Sequence, residues 1–210
     1  MLDEERAAVA REVGSLAELT PGRTGNLSVR RGDRFAVTPT GVPYDDLSAD
    51  EVSVVSLEGE HLAGADPSSE GPMHRGIYRT FEAGAIAHVH SPWATTLAVL
   101  HEPVPPVHYA IANAGGEVPV AEYATYGTKE LADNAVAAMD EAGTSATLLA
   151  NHGVVATGAD AVAAIETARA VEATARLYGQ ARGIGDPTTL PDEEIQRVAE
   201  KFESYGQGED

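Results

Sequence analysis

Apolar residues at Val9, Val13, Leu16 and Leu19 recur at three- and four-residue intervals behind an acidic start, which predicts an amphipathic helix over residues 3–19. Pro21 and Gly22 end it. Two short strands are predicted at 26–30 and 34–38, with Arg31-Gly32-Asp33 as the hairpin turn between them. A further strand at 52–57 stops at Glu58-Gly59. Ser68 or Ser69 is placed as the N-cap of a helix running to about Phe81. Residues 86–89 read as a strand and 92–100 as a helix with Pro92 in its first turn. A helix over 128–141 is closed by Gly143, and 147–156 forms two short strands or one strand broken at Gly153. A long alanine-rich helix over 159–182 and a last helix over 191–205 complete the pattern. There is no repeat, linker or low-complexity stretch. The class is α/β or α+β: a mixed or antiparallel sheet with helices on its faces. The length of 210 residues suits one domain spanning 1–210.

Candidate chemistry sits where the strands end. In His88-Val89-His90 the two imidazoles are two residues apart in a strand-like run. They therefore share a face while Val89 goes to the core. His152 follows a separate apolar strand, and Gly153 beside it permits a close backbone approach. Three histidines with one oxygen ligand suit zinc in an open, catalytic arrangement, and manganese or cobalt would also accept these donors. A lone His-x-His carries little weight, because one of its histidines can simply face solvent. His61 and His101 lie in turn-like segments and read as surface residues, and His74, one helical turn beyond Glu70, reads as supporting rather than ligating.

Cysteine is absent, so disulfides and thiolate metal sites are excluded. Acidic residues number 33 against 14 basic ones, a formal charge of −19, and only Lys129 and Lys201 are lysines. That balance lacks the basic footprint of a nucleic-acid binder. Its scarcity of lysine points to a protein suited to high salt, where repulsion among surface carboxylates is screened. No apolar run is long enough to span a bilayer and the first residues are acidic, so a cytoplasmic protein is expected.

Three segments could hold an anion: Thr24-Gly25-Asn26, Thr40-Gly41 and Ser68-Ser69. Each joins a hydroxyl or amide to free backbone N–H groups, although each alone is also ordinary turn chemistry. The serines stand near a predicted helix start, where unpaired amides favour phosphate.

These residues fall within an ordered series: Thr24–Arg30, Val37–Tyr44, Pro67-Ser-Ser-Glu70 with His74, Ala87–His90, His108-Tyr109, Tyr123–Thr128, Asn151-His-Gly153 and Lys201–Gly206. In this order and over nearly the whole chain, the series resembles the class II aldolase/adducin family, and within it the L-fuculose-phosphate aldolases. The resemblance implies a three-layer fold. It implies zinc held by His88, His90 and His152 with Glu70 as the fourth group, and phosphate held by Asn26, Thr40, Gly41, Ser68 and Ser69. It implies Glu70 and Tyr109 as catalytic groups, Tyr109 coming from the neighbouring subunit of a fourfold tetramer. The tail from about 191 to 210, with Tyr205, would close over the site. Tyr126 stands where the aldolases have Phe, which bears on the aldehyde accepted. The implied reaction is reversible cleavage of a ketose 1-phosphate, such as L-fuculose 1-phosphate, to dihydroxyacetone phosphate and an aldehyde such as lactaldehyde. Aldolases of 5-deoxyribulose or methylthioribulose 1-phosphate are an alternative, as are pentulose-phosphate 4-epimerases of the same family. The family's pentulose-phosphate 4-epimerases carry Asp after the paired serines, where this chain has Glu70. Its non-catalytic, adducin-like domains lose the metal histidines that this chain keeps.

Overall fold

A computed structural model of the chain describes residues 1–21 and 24–203. Eight strands form one sheet: β1 (Gly25–Arg31), β2 (Arg34–Val37), β3 (Ser53–Ser56), β4 (His61–Ala63), β5 (Ala85–Val89), β6 (Val120–Ala121), β7 (Ala146–Leu149) and β8 (Gly153–Gly158). Their order is β4-β3-β2-β1-β5-β8-β7-β6. Neighbouring strands run antiparallel except β6 and β7, which are parallel. Among the described residues six α-helices accompany it: α1 (Asp3–Ala17), α2 (Gly71–Thr80), α3 (Pro92–Leu100), α4 (Lys129–Ala142), α5 (Ala161–Arg182) and α6 (Asp192–Glu203). Among the described residues no helix is long and apolar enough to cross a membrane.

Alternation along the strands builds two cores. Leu27, Ala87 and Val89 face α1, α3 and α5, where Val9, Val13, Leu97, Ile165 and Val171 are buried. Phe35, Ile86 and Val155 face α2 and α4, where Met73, Ile77, Leu131 and Met139 are buried. The sheet is thus the middle of three layers. The strand pattern sends Val89 into the first core and leaves His88 on the face of Ile86, towards α2.

Several boundaries differ from the sequence pattern. The helix assigned a Ser68 or Ser69 cap starts at Gly71, with Glu70 in the cap position and Pro72 in the first turn. Pro72 has no N–H to place in a helix ladder, so it is accommodated only in the first turn. The 147–156 segment is two antiparallel strands, and the break spans 150–152 rather than Gly153 alone. His61 is exposed on the edge strand β4, which like β6 was not predicted; both are too short to show a period. Tyr205 lies outside the described residues.

Candidate metal centre and active site

Strand β5 delivers the first two histidines. His88 pairs in register with Asn26 of β1 on one side and with Val155 of β8 on the other. The strand passes between two glycines that let the neighbouring backbones close on it. A Cβ on Gly25, whose φ is +113°, would lie 2.4 Å from the His88 carbonyl oxygen. A Cβ on Gly153 would lie 2.5 Å from the Val89 carbonyl oxygen and 2.9 Å from the His90 ring. Any larger residue at either position would push β5 away. His152 arrives from the tight turn between β7 and β8. Asn151 before it holds a left-handed φ of 56°, fixed by its N–H on the Ala98 carbonyl and by a 2.7 Å contact between its side chain and His101 Nε2.

The three imidazoles pack edge to face, with ring centroids 4.8 to 4.9 Å apart. His88 Nδ1–H donates to the Val154 carbonyl at 2.9 Å, which leaves the Nε2 lone pair free. That Nε2 lies 3.0 Å from His90 Nε2 and 3.1 Å from Glu70 Oε2, and His152 Nε2 lies 3.3 Å from Glu70 Oε1. Glu70 Oε1 is buried and has no hydrogen-bond donor among the described residues. One donor atom each from Glu70, His88, His90 and His152 falls within a 4.8 Å cluster. Donor atoms converging from three imidazoles and one carboxylate suit a divalent cation, which would satisfy the orphaned Oε1.

The electrostatics agree. Burial lowers the pKa of His90 to about 4, with a further contribution from His88 and His152. Burial beside His88 does the same for His152, also to about 4. Both rings are therefore neutral and able to ligate at ordinary pH. Burial alone would raise the Glu70 pKa, but the facing His88 and His152 and the Asn26 amide outweigh it and hold the carboxyl below its usual range. His74 is fully buried, and burial depresses it to about 3. Its Nδ1 meets Ser28 Oγ at 2.6 Å and its Nε2 meets Asn26 Oδ1, so it supports the site without entering it.

Two clefts meet at Glu70. One, of about 490 Å³, is lined by Thr24, Asn26, Thr40, Gly41, Ser68, Ser69 and Glu70. Its two loops are joined by a bridge between Pro39 and Pro67 and by Thr40 N–H on the Asp66 carbonyl at 2.9 Å. The Thr40 and Ser68 loops are thereby brought together beside Thr24-Gly25-Asn26, and no Arg or Lys lines the cleft among the described residues. Asn26 is 3% exposed and turns one amide hydrogen to Glu70 Oε2 at 2.8 Å, leaving its second for the cleft. The other cleft, of about 360 Å³, is lined by Glu70, His90, His152, Tyr123, Tyr126 and Asn151. Tyr123 and Asn151 carried no signal beyond their place in matched segments. Tyr109 is not brought to this cluster: it is 52% exposed, and its ring lies tilted against His108 and Phe202.

A family model described as the Class II Aldolase and Adducin N-terminal domain matches residues 4–179. The 5-methylthioribulose-1-phosphate/5-deoxyribulose-1-phosphate aldolase of Rhodospirillum rubrum is 43% identical over 199 residues, covering 94% of this chain and 89% of that protein. The L-fuculose phosphate aldolase of Escherichia coli is 40% identical over 191 residues, covering 90% and 88%. A solved structure of an L-fuculose 1-phosphate aldolase superposes with a TM-score of 0.90 at 42% identity, covering 95% of this chain and 96% of that one. The chain belongs to the class II aldolase and adducin family, and with a Glu70–His88–His90–His152 cluster fit for a metal ion it is a metal-dependent aldolase.

Proposed function

We propose that the protein cleaves a ketose 1-phosphate reversibly to dihydroxyacetone phosphate and a short aldehyde, with L-fuculose 1-phosphate as substrate and lactaldehyde as the aldehyde. The observation that carries this reading is the position of Glu70, one carboxylate shared by a hydroxyl- and amide-lined cleft and a cluster of three imidazoles. A second reading, a 5-deoxyribulose or methylthioribulose 1-phosphate aldolase, is favoured by the 43% identity to the Rhodospirillum rubrum enzyme of that name. We read residues 1–210 as one domain working in the cytoplasm, where a doubly charged sugar phosphate is retained.

The phosphate is held by Asn26, Thr40, Gly41, Ser68 and Ser69 through hydroxyl, amide and backbone N–H donors. We take the ion to be zinc, with manganese or cobalt as substitutes; when bound, it supplies Lewis-acid polarisation of the substrate carbonyl. In cleavage, the hydroxyl on the aldehyde side gives its proton to Tyr109 as the carbon–carbon bond breaks, and the bonding pair moves towards the carbonyl. Glu70, having taken a proton from water, then gives it to the carbon beside that carbonyl, yielding dihydroxyacetone phosphate, and Tyr109 releases the proton it took to water. In synthesis Glu70 removes that proton and Tyr109 protonates the aldehyde oxygen. Tyr109 serves the site of a neighbouring copy in a fourfold tetramer. Tyr126 contacts the aldehyde end, and the tail with Tyr205 closes over the substrate.

A panel of ketose 1-phosphates assayed for dihydroxyacetone phosphate release tests the assignment. Fastest release from L-fuculose 1-phosphate supports the first reading and fastest release from a 5-deoxypentulose phosphate the second; none from any ketose would overturn both. Tyr109→Phe is expected to slow cleavage far more than exchange of the dihydroxyacetone phosphate proton, because Tyr109 serves only the aldehyde side. Equal loss of both would remove it from that role. We also read the −19 charge as an adaptation to high salt. At about 50 mM salt, where repulsion persists over roughly 14 Å before it is screened, light scattering should show loss of the tetramer and calorimetry a lower Tm than in molar salt. An intact, equally heat-stable tetramer would refute that adaptation.

A further inference from the structure

Glu70, His74 and Tyr78 lie four residues apart along the start and body of α2. Asn26 and Ser28 lie two apart on the facing strand β1. Four residues of helix rise about 6 Å and two residues of strand about 6.6 Å, so the two rows mesh. Tyr78 Oη meets Ser28 Oγ at 2.7 Å, and Ser28 Oγ meets His74 Nδ1 at 2.6 Å. His74 Nε2 meets Asn26 Oδ1, and Asn26 Nδ2 meets Glu70 Oε2 at 2.8 Å. All five side chains are buried, Ser28 and His74 completely.

The direction of every bond follows from the carboxylate end. An ionised Glu70 only accepts, so Asn26 must present its NH₂ to it. Asn26 Oδ1 then faces His74, which must donate from Nε2. A neutral imidazole donating there accepts at Nδ1, so Ser28 donates to His74 and accepts from the Tyr78 hydroxyl. Reversal would set Asn26 Oδ1 against Glu70 Oε2, two acceptors at hydrogen-bond distance. A buried row of five polar groups carries a desolvation cost that apolar residues packed beside Met73 and Ile77 would avoid. What the row provides is a fixed orientation at its end.

We propose that His74 is a positioning residue for the metal centre: it locks the Asn26 amide so that Nδ2 holds Glu70 Oε2 and Oε1 is turned to the histidines. The proposal rests on reading Glu70 and the three histidines as that centre. His74 itself neither ligates nor exchanges protons with substrate.

The test is Co²⁺ titration of metal-stripped protein, read by affinity and by the visible d–d spectrum. His74→Leu should weaken Co²⁺ binding on the order of 10- to 100-fold, the usual loss for an outer partner of a ligand, and change the spectrum. His74→Gln, which can still donate to Asn26 Oδ1, should recover part of both. In an Asn26→Ala background His74→Leu should add nothing, because His74 acts only through that amide. If His74→Leu does not fold, Ser28→Ala, which removes one hydroxyl and frees the tautomer, should give a smaller loss of the same kind. Wild-type affinity and spectrum in folded His74→Leu, or in Ser28→Ala if that variant must stand in, overturns the proposal. So does an equal loss in the Asn26→Ala background. Wild-type protein that binds no Co²⁺ would instead overturn the metal centre itself.

Discussion

Glu70→Gln is expected to reduce carbon–carbon cleavage by about 10²–10⁴, the range for losing a general base, in a protein that folds normally. Gln matches the shape of Glu but cannot take a proton. Its single oxygen must also choose between two neighbours that the carboxylate serves together. Pointed at Asn26 Nδ2 it leaves an NH₂ facing His152; pointed at the histidines it leaves an NH₂ facing the Asn26 donor. Metal affinity should therefore fall as well, so the rate must be compared at saturating metal. Exchange of the dihydroxyacetone phosphate proton should fall in step with cleavage. Exchange at the wild-type rate in metal-loaded Glu70→Gln protein would remove Glu70 from the role of base. His74 is not the fallback that its spacing from Glu70 suggests, because burial holds it near pKa 3 and both its ring nitrogens are engaged.

That His88 and His90 share a face could be read from local pattern, because the local pattern is what builds it. His-x-His in a strand shares a face by the pleat alone, and a His-Gly pair after an apolar run marks a strand end that closes tightly. The hydroxyl- and amide-lined cleft was legible only as three separate turns. Their convergence depends on the Pro39–Pro67 bridge, a contact between segments almost thirty residues apart that no spacing encodes. The α2 start was misplaced because hydroxyls at Ser68 and Ser69 mimic a cap, whereas Pro72 and the turn from Gly71 N–H to the Ser68 carbonyl decide it. The role of His74 was half visible. Its helical spacing from Glu70 put both on one stripe, but its partners Asn26 and Ser28 lie more than forty residues away on β1 and appear only once α2 is docked there. Tyr109 shows the opposite case: its assignment came from family resemblance, and within one copy it stands away from the cluster, against Phe202.

Removing the metal is expected to abolish turnover and to lower stability together. A Lewis acid contributes several kcal/mol to such a reaction, about 10³-fold or more in rate. Among the described residues neither Arg nor Lys lines either cleft to take its place. The loss of stability follows from linkage. An ion present at about 100 times its Kd stabilises the fold by about 2.7 kcal/mol, and stripping it leaves Glu70 Oε1 buried with no hydrogen-bond donor among the described residues. Prolonged chelation should therefore lower both rate and Tm, and zinc, cobalt or manganese should restore both. His152→Ala separates this from collapse of the core. His152 is half-buried on a turn, whereas His88 is wholly buried and bonded to Val154. The variant should keep the fold, bind zinc far more weakly and regain activity only at high metal concentration. Full activity in protein shown by elemental analysis to be metal-free would sink the metal mechanism. Unchanged zinc affinity in His152→Ala would take that residue out of the ligand set while leaving the other three to be tested.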